Sequence, residues 1–179
     1  MPGQAALRIG LSALSLAALA ACSGDDDSTF AERQELANTS PRMAVNKAEG
    51  SRLVRVFQEF CLDGAADPET RSARLRAAGY VPAGGWRGGR RDFVTNDRRP
   101  LVRLTRDGRS CAVGARASTG QTVAVHAAIG RWFPRAAEVR DTGATEIWLT
   151  GRRAGEGIGI TRNRRGPHDN EIILALMQR

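Results

Sequence analysis

Histidine, lysine and tyrosine are nearly missing from this 179-residue chain: His126 and His168, Lys47 and Tyr80 are the only ones. It holds no C-x-x-C pair and no G-x-S-x-G nucleophile elbow, and Ser110, Ser118 and Thr119 stand outside any nucleophile pattern. A zinc ion would need carboxylates that no motif marks. No metal or cofactor is therefore expected, no catalytic residue is assigned, and a binding protein is expected ahead of an enzyme. Long apolar runs are missing too. The run from Ile9 to Ala21 is interrupted by Gly10, Ser12 and Ser15. It falls short of the roughly 20 apolar residues that span a bilayer.

What the run does carry is the form of an export signal, with Arg8 in front and small residues behind. A buried helix would show a polar face at a period near 3.6, and only two serines interrupt Leu11 to Ala21. Leu19-Ala20-Ala21-Cys22 then resembles the lipobox of bacterial lipoproteins, in which small residues precede an obligatory cysteine. That resemblance implies removal of residues 1–21 and acylation of Cys22. It places the protein in the cell envelope, facing the periplasm. Ser23 stands where an aspartate would retain a lipoprotein at the inner membrane, so the outer membrane is expected. Two or more acyl chains make such attachment firm. Asp25, Asp26 and Asp27 open a polar stretch without apolar periodicity. Residues 22–49 are thus expected as an acylated N-terminus and flexible tether, and residues 50–179 as a single globular domain.

Charge is unevenly spread. Residues 86–135 carry a net +8, whereas residues 23–60 carry −2. A segment this basic attracts phosphate-rich polymers or anionic lipid heads. Within it, "GGWRGGRRDF" at 84–93 offers Trp86, Arg87, Arg90 and Arg91 as candidate contacts for an anionic partner. The stretch resembles an RGG element, where arginine and aromatic groups stack on bases. An exported protein meets little nucleic acid, so nucleic acid is the weakest partner expectation.

Once Cys22 is set aside as an anchor, Cys61 and Cys111 remain, and an oxidising compartment favours their pairing. A reactive thiol or a metal ligand is the alternative. The local pattern supports the pair. Leu53, Val54, Phe57, Phe60 and Cys61 recur at helical spacing over 51–62. Asp107-Gly108 between alternating runs reads as a two-residue hairpin turn, which sets Leu104 opposite Cys111 and Val102 opposite Val113. If the helix packs on that apolar face, the two thiols enter one core layer.

Elsewhere Asp67-Pro68-Glu69 starts a second helix that ends near Gly79. A third helix fits Gln121–Phe133, with Pro134 beyond it. Strands are expected at Arg91–Thr95, Thr145–Thr150, Glu156–Arg162 and Glu171–Gln178, besides the hairpin. Gly155-Glu156-Gly157-Ile158-Gly159 opens a β-like alternation and is not a nucleotide fingerprint. The expected fold is α+β: an antiparallel sheet of about five strands, two or three helices on one face, and one disulfide. Phe57-x-x-x-Cys61-Leu62, Ala77-Ala78-Gly79-Tyr80 and the Cys111 strand resemble pieces of a group of small exported bacterial proteins of unknown function. That resemblance implies no activity.

The functional expectation is a lipid-anchored envelope protein that binds a protein partner or an anionic envelope component without catalysis. The alternatives are an envelope hydrolase using His126 or His168 and, behind it, a nucleic-acid binder.

Overall fold

The computed structural model describes residues 26–39, 45–64, 67–164 and 170–178. Cys22 and His168, with the export signal and lipobox, lie outside them. The described chain is α+β, with four α-helices and one antiparallel sheet. The elements are α1 (Phe30–Asn38), α2 (Gly50–Phe57), α3 (Pro68–Ala77), β1 (Val81–Pro82), β2 (Arg90–Val94), β3 (Leu101–Thr105) and β4 (Ser110–Arg116). They continue with α4 (Gln121–Trp132), β5 (Ala137–Asp141), β6 (Thr145–Leu149), β7 (Glu156–Arg164) and β8 (Asn170–Gln178). The sheet has eight strands in the order β1-β2-β3-β4-β8-β7-β6-β5. After β4 the chain crosses by way of α4 to the far edge. It then meanders back until β8 pairs with β4 in the middle.

The strand count corrects the expectation of about five, and both missed strands are edges. β1 is two residues long and ends in a proline. β5 is exposed at all five positions, so it shows no apolar alternation. The hairpin itself has the expected register, with Leu104 opposite Cys111 and Val102 opposite Val113.

One face of the sheet carries the core. Phe93, Val102, Leu104, Cys111, Val113, Ile158, Ile160, Leu174 and Leu176 point to it, against Leu53 and Phe57 of α2 and Val125 and Ile129 of α4. The two helices touch closely at Gly50, where an added Cβ would lie 2.7 Å from Ala124 Cβ. α2 runs on as a π-helical turn over Gln58–Leu62. That turn brings Cys61 to Cys111, and the two form the disulfide with Cα atoms 5.4 Å apart. Closing a loop with a sequence separation of 50 contributes about 4 kcal/mol in the chain-entropy account.

Within the stretch expected as a tether, residues 26–39 and 45–49 pack on the rest of the described chain. Thr29 and Glu32 form a reciprocal capping box that starts α1. The helix lies along β1, buries none of its residues, and is held by polar contacts. Glu32 accepts from Arg76 Nε at 2.7 Å, and Glu35 accepts from Asn96 Nδ2 at 2.7 Å. Further on, Asn46 Nδ2 donates to the Thr95 and Arg99 carbonyls. The Ala48 carbonyl accepts from Ser118 Oγ and Gln121 Nε2.

Candidate functional site

Strand alternation decides which arginines of the basic stretch reach solvent. The β2 strand begins at Arg90, so successive side chains alternate between faces. Arg91 pairs in register with Leu104 and Phe93 with Val102, which turns both toward the core. Arg90 and Asp92, opposite Thr105 and Arg103, face the other way. Before the strand, Arg87 to Arg90 make a tight turn whose central residues, Gly88 and Gly89, have φ of 56° and 73°. Both positive values suit a primed turn, which glycine adopts without a Cβ penalty.

The result is a hollow of about 270 Å³ lined by Ala83, Gly85, Arg87, Arg90, Asp92 and Arg103. Arg103 is committed within it. Its Nε and Nη2 bind Asp92 Oδ1 and Oδ2 at 2.6 and 2.7 Å, a bidentate pair that holds the guanidinium's pKa above its ordinary value. Arg87 and Arg90 are exposed and form no ion pair among the described residues. Two free guanidinium groups beside a fixed third can hold a phosphate or carboxylate.

Arg91 does not belong to this surface. Its side chain is 2% exposed and reaches Asp26 at 3.5 Å, Asp27, the Gly84 carbonyl and Ser28 Oγ. Trp86 is half-buried between Arg91 and Arg106, whose guanidinium carbons lie 6.0 and 5.5 Å from its ring centroid. Thus Arg87 and Arg90 share the hollow, while Arg91 ties β2 to residues 26–39, the strap that carries α1. Grouping Trp86, Arg87, Arg90 and Arg91 as one contact surface hid this inward turn. Asp92 and Arg103 were also missed. Extending the hairpin register by one strand would have put them face to face.

The histidine candidates separate. His126 on α4 has Nε2 2.6 Å from Glu146 Oε2 on β6, and Glu146 Oε1 takes Arg162 Nη2 at 2.6 Å. Glu146 is 8% exposed in its side chain, while His126 is 42% exposed. The imidazole also lies against Trp148, centroids 5.1 Å apart, and Trp148 Nε1 is buried without a hydrogen-bond partner. Among the described residues no helix is long and apolar enough to cross a membrane, and no three His, Cys, Asp or Glu side chains group as a metal site. No known protein family, curated protein or solved structure matches the chain.

Proposed function

We propose that this is a lipid-anchored, non-enzymatic binding module of the bacterial cell envelope, acylated at Cys22. Its domain holds an anionic envelope component in the hollow at Arg87 and Arg90, and it faces the periplasm, most consistently from the outer membrane. The observation that carries the reading is the pair of exposed arginines without carboxylate partners beside the Arg103–Asp92 pair. The test has two arms. Labelled palmitate should enter the wild type and not Cys22→Ala, and equal labelling sinks the anchor. Detergent-solubilised protein should bind a phosphate-bearing matrix and elute at lower salt after Arg87→Gln with Arg90→Gln. Arg131→Gln with Arg135→Gln, two exposed arginines elsewhere, is the equal-charge control. If both pairs shift elution alike, the hollow is not the contact.

An envelope hydrolase is the second reading, favoured by the 2.6 Å contact of His126 with a buried carboxylate. Such a partner orients an imidazole as a general base. Glu146 is equally engaged by Arg162, however, and the hydroxyl next to this group, Thr122 Oγ1, accepts from Arg162 at 3.3 Å. The cluster is therefore best accounted for as a polar latch between α4 and the sheet.

A further inference from the structure

Only Ser23, Gly24 and Asp25 separate Cys22 from Asp26, and Asp26 is tied to the body. Four peptide steps span at most about 14 Å. A free tether over residues 22–49 would instead let the domain range over about 30 Å. The tie is built around a buried cation. Arg91, 2% exposed, takes Asp26 and Asp27 together, and Arg76 takes Asp27 at 3.0 Å and Glu32 at 2.7 Å. Losing those carboxylates would leave Arg91 buried and uncompensated, so the strap belongs to the folded domain.

The strap helix has two unlike stripes. Glu32, Leu36 and Thr39 are half-buried and turn toward the body. Phe30, Arg33, Gln34 and Ala37 are exposed at i, i+3, i+4 and i+7, which places them on one outer face. Phe30 is 70% exposed. An exposed aromatic beside an arginine suits the boundary between lipid headgroups and acyl chains. The hollow lies at the same corner, because Arg91 Nε also holds the Gly84 carbonyl at 3.1 Å and so joins the 83–89 loop to the start of the strap.

We infer that the domain lies directly on the bilayer holding its lipid. The outer stripe of α1 sits in the headgroup boundary, and Arg87 and Arg90 meet the phosphates of anionic phospholipid. This rests on acylation at Cys22 and gives the anionic partner a chemical identity. Surface-bound arginines gain from the negative potential of such a leaflet, whereas a domain on a long tether would not stay within reach of it.

The test uses acylated full-length protein reconstituted in vesicles of phosphatidylglycerol and phosphatidylcholine. Gln34→Cys or Val123→Cys supplies one thiol for a polarity-sensitive fluorophore. Val123, 73% exposed on α4, reports a surface away from the strap. The label at position 34 should shift to the blue and be quenched several-fold less by aqueous iodide than the label at 123. Adding Phe30→Ser, or Arg87→Gln with Arg90→Gln, to the Gln34→Cys protein should lower that protection. Equal quenching at 34 and 123, in protein that floats with the vesicles, overturns the apposition and leaves the anchor standing. Protein that neither floats nor carries acyl mass at Cys22 overturns the anchor and this inference with it.

Discussion

Near the β1 edge, Arg91 is a buried guanidinium whose partner Asp26 lies 65 positions away in the chain. At the start of β7, Glu156 is a buried carboxylate served by Arg152, four positions before it, and by Thr150 Oγ1 at 2.8 Å. Burial pulls the Glu156 pKa up, but the hydrogen bonds from Arg152 and Thr150 outweigh it and hold the carboxyl below its ordinary value. The difference lies in what each charge requires of the rest of the chain. Glu156 is satisfied by residues of its own hairpin turn. Arg91 is satisfied only when the strap returns to the sheet. That is why a helix with no buried residue is held on the β1 edge. Among the described residues no such segment lies along the β5 edge, which carries Glu138, Arg140 and Asp141 and a register shift between Glu138 and Arg140.

Removing the remote carboxylates should give the largest effect. Asp26→Asn with Asp27→Asn leaves Arg91 buried without a counter-charge, a change that costs about 3 kcal/mol at the lower end of such cases. The lower end applies because both aspartates are partly solvated, 36% and 53% exposed. Urea unfolding measures the loss, and trypsin should then cut at Arg33 under conditions where the wild type resists. Unchanged stability would show that the strap is not part of the fold.

The local charge should matter less. Glu156→Gln retains the volume and a hydrogen-bond acceptor for Thr150, and it releases Arg152, which is 41% exposed and can turn to water. A loss of about 1–2 kcal/mol is expected. A loss as large as that of the double aspartate variant would erase the distinction between local and remote partners.

How much was legible in the sequence follows the same division. The hairpin register came from Asp107-Gly108, and with it the Cys61–Cys111 pair. The Asp67 cap and Pro68 start of α3 also came from neighbouring residues, and Asp67 Oδ2 does accept from the Thr70 amide at 2.7 Å. The strap did not, because its helix has no apolar stripe and its partners Arg76, Arg91 and Asn96 are distant in sequence. β1 is too short and β5 too polar to show alternation. In the candidate site, Arg87 and Arg90 were legible as exposed arginines on a glycine turn. The inward direction of Arg91 was not, since it depends on β2 starting at Arg90. His126 falls in the helix expected over Gln121–Phe133, but Glu146 and Arg162 reach it from strands that only the tertiary fold brings there.

The smallest effect should appear in acid. Asp97 lies in the loop between β2 and β3. Burial pulls its pKa up, yet hydrogen bonds from Arg99 and Thr95 bring it down to about 2. The Asp26 and Asp27 carboxyls are also held low, chiefly by hydrogen bonds from Ser28 and Arg76 respectively, against a smaller cost of burial. A carboxyl depressed in the folded state contributes stability above its unfolded value, near 4, and loses it as pH falls through the folded value. Stability should therefore hold from neutral pH to about 5 and decline between about 4 and 2. Asp97 is half exposed, so screening reduces its share to about 1 kcal/mol or less. Urea midpoints at successive pH values read the decline. Asp97→Asn should make the slope in that window shallower, and the strap double variant should make it shallower by a separate increment, because Asp97 belongs to the β2–β3 loop and the other two to the strap. If the double variant declines as steeply as wild type, Asp26 and Asp27 are not the carboxyls through which acid loosens the β1 edge.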